Sequence, residues 1–120
     1  MTDDNDGRYF SHERLAAYDL AVAAVRFVAA RKAKLHGLPG KAGEQLERAV
    51  VGAQTAVCSA AAAEGAERRR LFRGALSEAS EAGGATDTAL AYGALAQAEY
   101  ELLRHTLLRL CSCLYRLAHR

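Results

Sequence analysis

The sequence predicts an all-α chain that folds as an antiparallel, up-down-up-down four-helix bundle. Three observations carry that expectation. The apolar residues, 51% of the chain, lean on alanine and leucine rather than on β-branched and aromatic types, which favours helix over sheet. Proline occurs once, at Pro39, so little interrupts long helices. Apolar positions then recur at spacings of three and four in four successive stretches, the period of a helix with one buried face. A length of 120 residues suits one domain around one core. Residues 1–10, with Asp3, Asp4 and Asp6, are expected to be a flexible acidic segment, and residues 11–120 a single bundle domain.

Ser11 is a favourable N-cap for the first helix, whose apolar face is expected at Leu15, Tyr18, Val22, Val25 and Ala29. This helix is expected to run to about His36, where Gly37 supplies a left-handed residue and Pro39 prevents continuation. Arg31, Lys32, Lys34 and His36 crowd its last turns, where positive charge complements the helix dipole. The second helix, from about Lys41 to Glu64, places Leu46, Val50, Ala53, Val57 and Ala60 on one face. Those small residues, with Gly52, permit close approach of backbones.

In the third helix Phe72, Ala75, Leu76, Ala79 and Ala82 keep the helical period before Gly83 and Gly84 intervene. Each glycine costs about 1 kcal/mol relative to alanine inside a helix, so propensity alone ends the helix at Ala82. A helix matched in length to its neighbours instead runs through the pair, from about Glu67 to Tyr92, with Gly93 as the left-handed residue after it. The fourth helix is the clearest, because Leu103, Leu107, Leu110, Leu114 and Leu117 keep a strict heptad seam. Leu102, Leu108, Cys111 and Tyr115 widen that seam beyond one stripe. Leu102, Leu108 and Tyr115 are therefore the expected contacts with another chain.

A net charge of +2 does not demand a polyanionic partner, so only local clustering argues for one. Arg68, Arg69, Arg70 and Arg73 form the densest cluster, offset nearby only by Glu67. Successive residues turn about 100°, so the first three arginines fan around the helix start, whereas Arg69 and Arg73 share a face. Positive charge near a helix N-terminus is not explained by the dipole. The cluster reads either as a solvated turn or as a patch that contacts phosphate or a docked protein.

Glu101 and His105 lie four apart on one face, yet a carboxylate-bridged bundle site needs Glu-x-x-His pairs from two helices, and the chain has none. Glu78 and Glu81 read as exposed helix formers, and no metal or other cofactor is expected. Cys58, Cys111 and Cys113 are an odd count, and Cys111 and Cys113 point about 200° apart, so neither a disulfide framework nor joint chelation is indicated. No Gly-x-Ser-x-Gly turn or phosphate loop is present, and His12, His36 and His119 fall near helix or chain ends; a non-enzymatic protein is expected. With no basic run leading into an apolar stretch and no segment suited to span a bilayer, the chain reads as cytoplasmic.

The order Leu38-Pro39-Gly40, then Gln45 to Ala49, then Ala60-Ala61-Ala62-Ala63 closing in Glu64-Gly65, is followed by a basic stretch, Phe72 and Glu81. This pattern resembles the four helix bundle protein family, whose members are encoded within large-subunit ribosomal RNA intervening sequences and are similar to the accessory variability proteins of diversity-generating retroelements. The resemblance spans roughly Phe10 to Arg116. It implies an antiparallel bundle whose third helix continues to a break at Gly93, and a homo-oligomer of five chains. The chain departs from the family in having alanines where an asparagine and an isoleucine precede the Ala-Glu-Gly signature, and in Gly83-Gly84. The first functional reading is a non-enzymatic, homo-oligomeric binding or scaffold protein, partnered by itself or by another protein. The second is an accessory factor that binds RNA or DNA through Arg68, Arg69, Arg70 and Arg73 and acts with a reverse transcriptase or RNA partner. The third is a metal-binding or redox bundle using Glu101, His105 and the cysteines.

Overall fold

Long runs of alanine and leucine wind into helix with little to stop them. The computed structural model of the protein describes His12 and residues 15–120, which hold five α-helices and no strand. These are α1 (Ala16–Ala29), α2 (Lys32–Leu35), α3 (Ala42–Ala62), α4 (Gly65–Ala91) and α5 (Gln97–Ala118), with a 3-10 turn at Pro39–Lys41. The expected cap at Ser11 and the acidic segment 1–10 lie outside the described residues. α1 packs on α3, α3 on α4, α4 on α5 and α5 on α1, so the four long helices close a ring of contacts around one connected core. The short α2 rests against α3. Among the described residues, no helix is long and apolar enough to cross a membrane.

The first helix does not run unbroken to His36. It stops at Ala29, and a single turn, α2, follows after Ala30 and Arg31. No glycine or proline stands at the break; the Arg31 side chain folds back over it. Its Nη1 donates to the Phe27 carbonyl at 3.0 Å, occupying the acceptor that the helix would have offered to the Arg31 amide. That amide turns to the Val28 carbonyl instead, at 3.0 Å. The guanidinium lies 3.6 Å from the centre of the Phe27 ring, and its Nε donates to Glu99 on α5 at 2.7 Å. Gly37 does not supply the left-handed residue either: positive φ falls on Gly40 (65°) and Lys41 (60°), just before α3.

The buried face of α1 also differs from the expected one. Ala17, Ala21, Ala24 and Val28 face the core, Leu15, Tyr18, Val22 and Val25 are half-buried, and Ala29 is exposed. The face is turned by about one residue, or 100°, because two overlapping sets share the helical period and the smaller one fits a short interhelical distance. In α3 the expected face holds: Leu46, Val50, Ala53, Val57 and Ala60 are all buried. Its tightest backbone approach is at Gly43 rather than Gly52. A Cβ on Gly43 would overlap the Leu35 carbonyl, whereas one on Gly52 would meet only the end of the Glu78 side chain, at 2.8 Å.

Only Ala63 and Glu64 separate α3 from α4, and Gly65 opens α4 at φ 59°. From there α4 continues through Gly83 and Gly84 without a break, as the length argument expected, and buries Phe72, Ala75, Ala79, Ala82, Thr86 and Ala89. Thr86 satisfies its buried hydroxyl by donating to the Ala82 carbonyl at 2.7 Å. The helix ends at Ala91 and is closed by Gly93, φ 75°, whose amide donates to the Leu90 carbonyl while the Ala94 amide reaches the Ala89 carbonyl; this paired closure needs a left-handed residue. On α5 the whole leucine seam, Leu103, Leu107, Leu110, Leu114 and Leu117, is buried.

Candidate functional site

The four arginines of the cluster, all in the first turns of α4, divide by what they touch. Arg68 is half-buried: its Nη1 donates to the Ala61 carbonyl at 3.5 Å and its guanidinium stands 5.1 Å from the centre of the Phe72 ring, which ties the start of α4 to the end of α3. Arg70 grips Glu67 with two donors, Nε at 2.9 Å and Nη2 at 2.7 Å, and the hydrogen bond holds the Glu67 carboxyl below its usual range. Arg69 and Arg73 are exposed and make no hydrogen bond or ion pair among the described residues. Of the four, these two are free to meet a ligand.

Leu102, Leu108 and Tyr115 are all more than half exposed, at 57%, 51% and 57%. They do not form one patch. Six residues of helix put Leu102 about 120° around α5 from Leu108, whereas Tyr115, seven residues on, lies within about 20° of it. Leu108 and Tyr115 line a shallow cleft with Leu76 of α4, Cys111, Ser112 and Arg116. A neighbouring cleft of about 310 Å³ is lined by Ala79, Ser80, Gly83, Thr86, Arg104, Leu107, Leu108 and Cys111. Burial pushes the Cys111 thiol up, with a hydrogen bond to Ser80 opposing it, which keeps this group protonated at neutral pH.

Gly83 and Gly84 have no role inside the chain that requires a glycine. Neither has positive φ, and a Cβ on either would meet nothing within 4 Å. Gly83 opens the cleft toward α5, and Gly84 lines another toward α3 with Ala42, Gln45, Arg48, Glu81, Ala85 and Thr88.

One feature of this face was not read from the sequence. The Tyr115 and His119 rings stack with centroids 4.1 Å apart and planes at 26°. The His119 Nδ1 hydrogen donates to the Tyr115 carbonyl at 2.8 Å, which fixes the pair on the last turn of α5. Two rings four residues apart at a helix end are a signal that spacing alone supplies. At the other end of α5, Glu99 accepts from the Ala96 amide at 2.9 Å, from Arg31 at 2.7 Å and from Lys34 at 3.0 Å. These bonds, the amide first, lower its carboxyl to about 2. Lys32 and His36 similarly face Glu47, at 3.8 and 3.0 Å, so the basic end of the first helical stretch is held by cross-helix pairs.

Glu101 accepts from Gln97 at 3.0 Å. Among the described residues no group of three or more His, Cys, Asp or Glu side chains is placed to hold a metal ion. Cys58, Cys111 and Cys113 are free thiols, and Cys111 and Cys113 line different clefts. The described residues thus define an all-helical protein whose exposed Leu108 and Tyr115 stand beside shallow clefts that Arg104 and Arg116 also line. No protein-family model matches the chain, and no curated protein matches it.

Proposed function

We propose that the ring of helix contacts is an antiparallel, up-down-up-down four-helix bundle, with α2 a single turn appended to α1, and that it serves as a non-enzymatic, homo-oligomeric binding or scaffold protein. The short links favour this topology, since two residues join α3 to α4 and five join α4 to α5. Cross-helix neighbours run in opposite order: Tyr100 donates to Asp87 at 2.9 Å while the later residue Cys111 meets the earlier Ser80. The observation that carries the oligomer is the glycine pair. Both residues weaken α4 and serve nothing within the chain, and Gly83 leaves room beside the exposed Leu108 for a second copy's side chains. The resemblance to intervening-sequence proteins adds the expectation of five copies in a cytoplasmic protein.

Light scattering at micromolar concentration tests this reading, with a multiple of 12.8 kDa expected for the wild type and a lower mass for Leu108→Glu. A wild-type mass equal to one chain refutes it. A second reading, an accessory factor that binds RNA or DNA, is favoured by Arg69 and Arg73, which are exposed without a partner.

A further inference from the structure

The arginines of α4 and the exposed rings of α5 belong to the same end of the molecule. The cleft that joins Leu76 to Ser112, Tyr115 and Arg116 sets the early turns of α4 beside the last turns of α5. Arg69 lies seven residues before Leu76, within about 20° of it around the helix axis, and Arg73 is one turn away. Residues 67–73 and 115–120 together carry Arg68, Arg69, Arg70, Arg73, Arg116 and Arg120 against one carboxylate side chain, Glu67, which Arg70 already occupies. Among them stands Tyr115, one ring face against His119 and more than half its surface open.

Positive charge alone does not distinguish one polyanion from another. A flat aromatic ring exposed at the arginine-bearing end does, because it offers a stacking surface to an unpaired base while guanidinium groups take the phosphates. In a duplex the bases are already stacked on one another and their faces are unavailable. An acidic protein would match the arginines equally well and could also pack on the ring, but would gain from it no preference for unpaired bases. An acidic polypeptide is therefore one arm of the test.

We propose that Tyr115, stacked on His119 at the end of the molecule that carries Arg69, Arg73 and Arg116, is a base-stacking platform that makes this protein select single-stranded over duplex nucleic acid. The proposal rests on the nucleic-acid reading above, adds to it a subsite and a strand preference, and assigns Tyr115 to nucleic acid rather than to the inter-chain contact expected from the sequence. The base continues the Tyr115–His119 stack on the outer face of Tyr115, and the chain of phosphates runs along α4 past Arg73 and Arg69.

Fluorescence anisotropy with the full chain at low ionic strength tests it, using labelled 20-nucleotide oligo(dT) and oligo(U), a 20-base-pair duplex, and polyglutamate as the acidic-polypeptide probe. Wild type is expected to bind both single strands more tightly than the duplex. Tyr115→Ala is expected to weaken single-strand binding roughly five- to a hundredfold, with duplex binding unchanged, while Tyr115→Phe, which keeps the ring, stays within about twofold of wild type. Arg69→Gln with Arg73→Gln is expected to weaken both and to flatten the dependence on salt. If Tyr115→Ala binds oligo(dT) and oligo(U) as wild type does while the arginine variant is weakened, the platform is refuted and nucleic-acid binding stands. If wild type retains no nucleic acid, both fall; tighter binding to polyglutamate than to either single strand overturns the proposal in favour of a protein partner.

Discussion

Replacing Gly83 and Gly84 together by alanine separates what the chain needs for itself from what an assembly needs. Both glycines lie inside a continuous α4, neither has positive φ, and the added methyl groups would meet nothing within 4 Å. The substitution therefore acts through backbone entropy and helix propensity alone, at about 0.8 kcal/mol per site, or about 1.6 kcal/mol for the pair. For a chain of 120 residues the unfolding entropy near the midpoint is roughly 0.25 kcal/mol per kelvin, so the melting temperature of the isolated chain is expected to rise by about 6 °C. Circular dichroism melts at low protein concentration measure that change. Repeating them at high concentration, where assembly adds to stability by mass action, tests the second half of the reasoning. If the glycines make room for another copy, the wild type gains more from concentration than the variant does. A variant that melts lower than wild type at every concentration would show that α4 is not helical through the pair, and the argument from the glycines would collapse.

Gly43→Ala is expected to destabilise by about 2–3 kcal/mol, because its Cβ would overlap the Leu35 carbonyl, whereas Gly52→Ala meets only the movable end of Glu78 and is expected to change stability by less than about 1 kcal/mol; equal effects in thermal melts would refute this ranking. Glu99 has its carboxyl lowered from 4.5 to about 2, so its contribution is present above pH 4.5 and lost as pH falls through about 2. Glu99→Gln is accordingly expected to lower the melting temperature at neutral pH by an amount that shrinks between pH 4.5 and 2, and a pH-independent difference would count against the pairing with Ala96, Arg31 and Lys34.

Two kinds of feature were legible in the sequence, those that one helix decides by itself and those that matched helix lengths require. The α5 seam was legible because leucines at heptad spacing admit one buried face, and the passage of α4 through its glycines followed from matching helix lengths. The break after Ala29 was not legible, since it depends on Arg31 turning back to Phe27 while reaching Glu99, 68 residues away in the chain. The buried face of α1 was missed for a related reason. Alanine at 17, 21 and 24 is preferred over the larger residues beside it only once the distance to α3 and α5 is known. The separation of Leu102 from Leu108 was available from the six-residue spacing, and the Tyr115–His119 pair from the four-residue spacing. The availability of Arg69 and Arg73 was not, because it depends on Ala61, Glu67 and Phe72 engaging the other two arginines.

The place of α1 in the ring has a consequence during synthesis. This helix is synthesised before α3, α4 and α5, yet it packs on α5 as well as on α3, and Leu15, Ala16 and Ala17 line one cleft with Leu117 and Arg120. α3, α4 and α5 can pair in order as each emerges and α1 can meet α3 early, but the side of α1 that faces α5 must wait through some 80 residues, on the order of ten seconds at ribosomal speed. A leucine-rich inner face left open that long would invite aggregation. The fully buried positions of α1 are mostly alanine, at 17, 21 and 24, and present far less sticky surface than the leucine seam of α5 does, which lessens the risk of that delay.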